Sequence, residues 1–187
     1  IWIDNSGEEK AYAALQESFK RLGTDYIDLV LVHQPFGDYY GTYRALERAY
    51  TEGTVRAIGV SNFYQDKFYD LAYHCRIYPM INQLETNVFS QQTQMREMLK
   101  EYGTKVMAWG PMAQGKENFN ENEILKETGC RYGKTGIQTA LRFLAQEGIP
   151  SIPKSSKAER MKENIDIFDF ELTAEAMNTP RAMNQTD

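Results

Sequence analysis

The chain has 187 residues, of which 42% are hydrophobic, enough for the core of one domain and too few for a membrane protein. Its 21 basic and 26 acidic residues give a net charge of −5, which argues against general nucleic-acid binding, because that requires a basic surface. The sequence contains no run of about 18 apolar residues, which is the length needed to span a bilayer. Cys75 and Cys130, the only cysteines, have no metal-binding spacing, although they could form one disulfide. We expect a cytoplasmic protein without metal, membrane or nucleic-acid partners.

The predicted elements alternate between helices and short apolar strands. A capping box of Ser6 and Glu9 predicts the start of a first helix, which Gly23 ends, and residues 26–32 form a buried strand. The next elements are a helix at 42–52, a strand at 55–60, a helix at 65–75, a strand at 80–84, a helix at 91–102 and a strand at 105–109. A polar loop at 115–132 with a short helix at 121–128, a helix capped by Thr135, a strand at 149–152 and a last helix from Thr173 complete the chain.

Four of these helices end in a glycine immediately before a strand: Gly23, Gly53, Gly103 and Gly148. This repeated βα pattern predicts a parallel sheet with right-handed crossovers. No G-x-G-x-x-G follows a strand, so a dinucleotide-binding Rossmann domain is disfavoured. We predict an α/β fold of the (β/α)₈ TIM-barrel family, here a partial barrel of about five parallel strands plus helices, as a single domain over residues 1–187. Closure requires eight strands, so the edges at 26–32 and 149–152 would be unpaired and prone to aggregation.

Polar or aromatic residues stand at the end of every predicted strand. The five ends are His33-Gln34-Pro35, Ser61-Asn62-Phe63, Gln83 with Glu85, Trp109-Gly110-Pro111, and Lys154-Ser155. Each alone has a plain explanation: a core histidine, a helix cap or a core aromatic. In a barrel, however, the carboxyl ends of the strands share one rim, where ligands bind. Five such ends at one rim predict a functional site. His74, predicted to lie within a helix among polar neighbours, receives no role.

The stretch 148–164 predicts an anion site. A short strand is followed by a proline and by a helix that the pair Ser156 and Glu159 would cap, so the helix dipole and open backbone N–H groups would face a ligand. Lys154 precedes this helix and Arg160 lies in its first turn, adding positive charge. The alternative is a solvated basic turn, since cations near a helix start are common.

The residue types at the other strand ends suit a nucleotide cofactor. Ser61, Asn62 and Gln83 offer groups that hydrogen-bond a carboxamide. Trp109 offers a flat face for stacking, and Gly110 allows close approach of the backbone. His33 could donate a hydrogen bond to a carbonyl oxygen.

At these residues the sequence strongly resembles the aldo-keto reductase superfamily, nearest the bacterial group that includes 2,5-diketo-gluconate reductases. The motifs follow the family order over nearly the whole chain. They are YIDLVLVHQP at 26–35, IGVSNF at 58–63, NQLE at 82–85, AWGP at 108–111, and IPKS at 152–155 continuing through Arg160 to Glu163 and Asn164.

The resemblance implies an NADPH-dependent reductase that converts aldehydes and ketones to alcohols on a (β/α)₈ barrel. His33 matches the active-site histidine that orients the substrate carbonyl. The residues matching the cofactor contacts are Ser61, Asn62 and Gln83 for the nicotinamide carboxamide, Trp109 with Gly110 and Pro111 for the nicotinamide ring, Lys154, Ser155 and Arg160 for the adenosine 2′-phosphate, and Glu163 and Asn164 for adenine. A clamp on the 2′-phosphate favours NADPH over NADH.

The family's catalytic machinery also uses an Asp, a Tyr proton donor and a Lys from its first three strands. In the family pattern that Lys comes immediately before the residues that match Ile1 and Trp2. Tyr39, Tyr40 and Tyr43 are expected in a substrate-loop region, away from the position of the donor. We therefore expect residues 1–187 to be the C-terminal two-thirds of a reductase, inactive in isolation because a Tyr donor and the Lys that lowers its pKa would be missing.

Two alternatives remain from the sequence. The first is a non-catalytic NADPH-binding or interaction protein that retains only the cofactor face, since a fold and a cofactor site do not guarantee activity. The second is a phosphate-binding barrel such as an aldolase or isomerase, which would use the anion site alone and leave Ser61, Asn62 and Gln83 unexplained.

Overall fold

A computed structural model of the chain describes residues 1–116 and 119–185. Residues 117–118 of the predicted polar loop therefore lie outside the described part. The chain forms two compact units, each described by itself below. Unit 1 comprises Ile1–Leu84 and Met95–Val106, and unit 2 comprises Glu85–Gln94 and Met107–Asp187.

The described residues form one parallel sheet, most of which lies in unit 1. Its strands are β1 (Val30–Val32), β2 (Ile58–Ser61), β3 (Ile81–Glu85) and β4 (Lys105–Trp109), in the order β1-β2-β3-β4. In the register, Val32 pairs with Val60, and Ser61 pairs with Gln83. Because the pairs β1–β2 and β2–β3 are parallel, their carboxyl ends meet at one edge, which carries the residues that follow each strand.

The helices alternate with the strands, as the sequence predicts. They are α1 (Glu8–Leu22), α2 (Tyr39–Thr51), α3 (Gln65–His74), α4 (Thr93–Lys100), α5 (Glu123–Cys130), α6 (Gly136–Gln146), α7 (Ala158–Ile165) and α8 (Ala174–Arg181). Gly23, Gly53, Gly103 and Gly148 all adopt positive φ just after a helix or its last turn. Glycine adopts positive φ without the steric penalty that a Cβ brings. This explains why the Gly-before-strand pattern located these helix ends correctly.

The strand predictions are right in position but too long in three places. Strand β4 has the predicted bounds, whereas the predicted strands 26–32 and 55–60 form a ladder only from Val30 and Ile58, with a single bridge from Ile27 to Val55 before it. The predicted fifth strand, 149–152, is reduced to one parallel bridge between Ser151 and Ala108. Pro150 and Pro153 flank this bridge, and a proline has no N–H with which to extend a ladder.

The predicted caps had mixed outcomes. Thr135 and Gln138 form the full capping box of α6, and Thr173 caps α8. The capping box predicted at Ser6 is wrong: α1 is capped at Gly7 without a side-chain hydrogen bond. Gly7 has φ +100° and donates its N–H to Thr42 Oγ1 at 3.0 Å, so the chain turns one residue later than predicted.

Each unit has its own core. In unit 1 the side chains of Leu15, Tyr43, Leu46, Phe63 and Phe68 are fully buried, and α1 packs along α2. In unit 2 the corresponding side chains come from Phe119, Leu125, Phe143 and Leu144, where α5 packs on α6. Both cysteines are free thiols. No helix in the described ranges is long and apolar enough to cross a membrane.

Candidate functional site

The predicted site residues fall into two groups, one in each unit. Unit 1 carries His33, Ser61, Asn62 and Gln83 at the carboxyl ends of β1, β2 and β3. Unit 2 carries the remaining eight, from the end of β4 and from the segment that leads into α7.

In unit 1, the turn after β2 is held by the end of β3. The backbone N–H of Asn62 donates to the Gln83 carbonyl at 2.9 Å, and Ser61 Oγ donates to the same carbonyl at 3.1 Å. Asn62 adopts the left-handed conformation, φ +62°, which asparagine tolerates better than most residues. Its Nδ2 lies 3.2 Å from Ser61 Oγ. The turn therefore brings a hydroxyl and a side-chain amide side by side.

His33 follows β1 and is exposed, with its ring edge-on to Trp2 at a centroid distance of 4.9 Å. Partial desolvation of the imidazole lowers the pKa of His33. The neutral form is thus favoured near pH 7, and a neutral imidazole can donate from one ring nitrogen only. Trp2 has no motif that would have flagged it, and sequence reasoning missed this contact.

His33, Ser61 and Gln83 border a cavity of about 370 Å³ in unit 1. The other walls of this cavity are mainly apolar, from Leu15, Leu29 and Leu31. The structure therefore brings three of the four unit 1 residues together, and Asn62 is hydrogen-bonded to all three. Its Nδ2 donates to Ser61 Oγ and to the His33 carbonyl, and its backbone N–H donates to the Gln83 carbonyl.

In unit 2, a cavity of about 750 Å³ has all eight predicted residues in its wall, a size typical of small-molecule sites. The eight are Trp109, Gly110, Pro111, Lys154, Ser155, Arg160, Glu163 and Asn164. Sequence reasoning missed several apolar wall residues, among them Met112, Ile137 and Ile152. Scattered apolar positions carry no signal of their own.

The bridge between β4 and the Ser151 segment explains why residues so far apart in sequence share this wall. Ala108 N–H donates to the Pro150 carbonyl at 2.7 Å, and Ile152 N–H donates to the Ala108 carbonyl at 3.1 Å. The half-buried Trp109, at the end of β4, therefore lies at the same edge as Lys154. Gly110 has φ +60°, and a Cβ there would meet only ordinary contacts, so the glycine is needed for its conformation.

The start of α7 differs from the prediction. Its N-cap is Lys157 without a side-chain hydrogen bond, so the capping box of Ser156 and Glu159 is wrong. Ser155 is the reason, because its Oγ accepts the Lys157 N–H at 3.1 Å and tightens the turn before the helix. Since no side chain caps α7, its first N–H groups have no intrahelical acceptor and remain available to an anion.

The electrostatics of this segment favour an anion. Lys154 and Arg160 are exposed, and neither makes an ion pair within the part of the chain that the structure describes. Glu163 is half-buried, and its Oε1 accepts a hydrogen bond from Thr135 Oγ1 at 2.7 Å. Asn164 is buried and also borders a second cavity of about 550 Å³. Two unpaired cations beside an uncapped helix start can bind a phosphate group.

The three tyrosines near residue 40 lie in helix α2, so the expectation of a substrate-loop region is wrong. Tyr39 and Tyr43 are buried, and burial raises the pKa of both phenols well above the usual range. The hydroxyls of Tyr39 and Tyr40 both donate to Asp70. Such phenols are poor proton donors near neutral pH.

Comparison with known proteins gives consistent matches over the whole chain. The sequence model of the aldo/keto reductase family matches residues 2–185. Glyoxal reductase of Bacillus subtilis (strain 168) is 40% identical over 188 aligned positions, which cover 100% of this chain and 67% of that protein.

Two solved structures have a similar fold. A putative 2,5-diketo-D-gluconic acid reductase B matches with a TM-score of 0.90 and 34% identity over 98% of this chain and 66% of that one. An aldo-keto reductase of Bombyx mori in complex with NADP matches with a TM-score of 0.88 and 33% identity, over 99% and 66%. The chain thus spans about two thirds of the length of these proteins. These matches confirm the predicted fold class and the resemblance seen in the motifs.

Proposed function

Since this chain belongs to the aldo/keto reductase family, we propose that it is part of an NADPH-dependent oxidoreductase that reduces small aldehydes and ketones to alcohols. The observation that carries this proposal is the unit 2 cavity, whose wall includes eight of the eleven predicted cofactor residues. We further propose that residues 1–187 form one partial barrel domain of a cytoplasmic enzyme, a setting for which free thiols are typical.

The phosphate end of the cofactor is assigned to the start of α7. Lys154 and Arg160 would bind the adenosine 2′-phosphate, and Ser155 holds the turn that places them. The charge of this segment supports the assignment, since residues 154–163 hold four basic and two acidic side chains in a chain of net charge −5. NADH lacks the 2′-phosphate, so these cations favour NADPH. Glu163 and Asn164, farther along α7, are assigned to adenine.

The nicotinamide end is assigned to the strand ends. Trp109 would stack on the ring, with Gly110 and Pro111 beside it, while the turn of Ser61 and Asn62 together with Gln83 would bind the carboxamide. When bound, NADPH supplies the hydride. Ser61 already donates to the Gln83 carbonyl, so its hydroxyl can accept from a carboxamide N–H without breaking that bond.

His33 is assigned to the substrate carbonyl. The lowered pKa keeps its imidazole neutral near pH 7, and one ring N–H can then donate to the carbonyl oxygen. This donation orients the substrate but does not replace a proton donor. We propose that the Asp, Tyr and Lys of the family machinery are also needed, and that residues 1–187 alone give no turnover.

A second candidate is a protein that binds NADPH without catalysing a reaction. The environment of Tyr39 and Tyr43 favours this for the 187 residues alone, since burial suppresses their acidity. The difference between the candidates rests on whether a low-pKa Tyr and its Lys accompany the cofactor site.

Assays with NADPH and a simple carbonyl compound test the proposal. Glyoxal is a suitable probe, being the substrate in the name of the Bacillus subtilis relative. We expect weak NADPH binding and no NADPH oxidation by purified residues 1–187. We expect oxidation by a chain extended at its N-terminus along the upstream coding frame. An extended chain that binds but never oxidises NADPH would favour the non-catalytic candidate, and turnover by residues 1–187 would refute their predicted inactivity.

A further inference from the structure

Asn82 is a buried polar residue in the middle of β3 that no predicted role explains. Its side chain is 0% exposed, and its Nδ2 donates to the Phe63 carbonyl at 2.6 Å. Its Oδ1 is buried and has no hydrogen-bond partner among the described residues. Leaving a buried acceptor unpaired is unfavourable, and a leucine of similar size would avoid that cost. The amide at this position therefore serves the bond to Phe63 rather than the core.

The hydrogen bond from Asn82 holds Phe63, the last residue of the turn after β2. Asn62 in this turn adopts the left-handed conformation, so the chain changes direction sharply between Ser61 and Phe63. At the start of the turn, the Gln83 carbonyl accepts from Asn62 N–H and Ser61 Oγ. Two consecutive residues of β3 thus hold the turn, one by its carbonyl and the other by its side chain.

The aromatic ring of Phe63 strengthens this arrangement. The ring is 0% exposed and lies edge-on to Tyr39 at a centroid distance of 5.4 Å. With the ring fixed in the core and its carbonyl held by Asn82, the backbone of Phe63 has little freedom. Because Ser61 and Asn62 directly precede Phe63, the positions of their side chains are restrained as well.

We propose that Asn82 is a positioning residue that fixes Ser61 and Asn62 in the orientation needed to bind the nicotinamide carboxamide. It acts through the Phe63 carbonyl and does not contact the cofactor itself. This inference rests on the proposed function, because it assumes that the turn binds the carboxamide. Asn82 has no role at the phosphate end of the cofactor, which Lys154, Ser155 and Arg160 would bind.

Two ligands separate a positioning role from a general structural role. NADPH carries both the nicotinamide and the 2′-phosphate, whereas 2′,5′-ADP carries only the adenosine phosphate end. We expect Asn82→Leu to bind NADPH about tenfold more weakly than wild type, the value of roughly one well-placed hydrogen bond, while the affinity for 2′,5′-ADP changes less than about twofold.

Thr104→Val is the matched control. Thr104 is buried in unit 1, and its Oγ1 donates to the Pro79 carbonyl just before β3, so this variant also loses a buried bond to a backbone carbonyl. We expect Thr104→Val to keep the wild-type ratio of the two affinities. Thermal unfolding of both variants, followed by circular dichroism, establishes that each is folded at the temperature of the titration.

The outcomes are distinct. If Asn82→Leu loses affinity for both ligands equally, or retains full NADPH affinity, Asn82 is not a positioning residue. The same conclusion follows if wild type binds NADPH no better than 2′,5′-ADP, because the turn then contributes nothing. If wild type binds neither ligand, the proposed function itself fails and the inference fails with it.

Discussion

Replacing both Lys154 and Arg160 by methionine should remove the preference for NADPH over NADH. Each cation is expected to make a charge-assisted bond to the 2′-phosphate, so we expect the double variant to bind NADPH about 100-fold more weakly. Binding of NADH, which lacks that phosphate, should change less than about threefold. Titrations of wild type and variant with both cofactors, by calorimetry or NMR, give the two ratios directly.

Lys162→Met provides the control for charge alone. Lys162 lies on α7 two residues after Arg160 and is exposed, but it does not border the unit 2 cavity. Comparing the single variants Arg160→Met and Lys162→Met, which remove the same charge, separates a specific contact from a general electrostatic effect. Equal losses of NADPH affinity in these two variants would show that the cations act only through long-range attraction.

Gly59→Ala should strongly destabilise unit 1. Gly59 pairs with Leu31 on one side of β2 and with Ile81 on the other. A Cβ at this position would lie 2.4 Å from the Ile81 carbonyl oxygen and 2.8 Å from Leu31 Cδ2. A backbone atom in a central strand cannot move away without disrupting the sheet. We therefore expect the free energy of unfolding to fall by about 3 kcal/mol or more, a large part of a typical folding free energy. Urea unfolding measures the difference.

Gly103→Ala isolates the cost of the substitution from the cost of the clash. Gly103 has φ +68° and no atom within 4 Å of its Cβ position, so only backbone strain of about 1 kcal/mol is expected. A Gly59→Ala variant as stable as Gly103→Ala would mean that β2 does not pack against its neighbours as described. Because Ser61 lies two residues after Gly59, loss of this packing would also disrupt the turn of Ser61 and Asn62.

The order and type of the elements could be predicted because each depends on local chemistry. Glycines at positive φ ended four helices, and the Thr135 capping box began α6 where the sequence placed it. The extent of the strands could not be predicted, since an apolar run such as 26–32 shows burial and not which residues form a ladder. Proline on both sides of Ser151 similarly reduced a predicted strand to one bridge.

The candidate site was predicted from residue types at the strand ends and from the family motifs. Those signals identified eight of the residues around the unit 2 cavity and the turn of Ser61 and Asn62. Asn82 escaped assignment because a hydrogen bond from its side chain to the Phe63 carbonyl has no pattern in the sequence. The start of α7 was misplaced because Ser155 and Ser156 are both suitable caps, and only the structure shows that Ser155 holds the turn.

The most direct test of the proposed cofactor site is an NMR titration of the ¹⁵N-labelled chain with NADPH. We predict that the indole N–H signal of Trp109 and the backbone amide signals of residues 154–160 shift together along one binding curve, and that 2′,5′-ADP moves only the second group. If a folded chain shows no shift of either group at millimolar NADPH, the proposed NADPH site is contradicted.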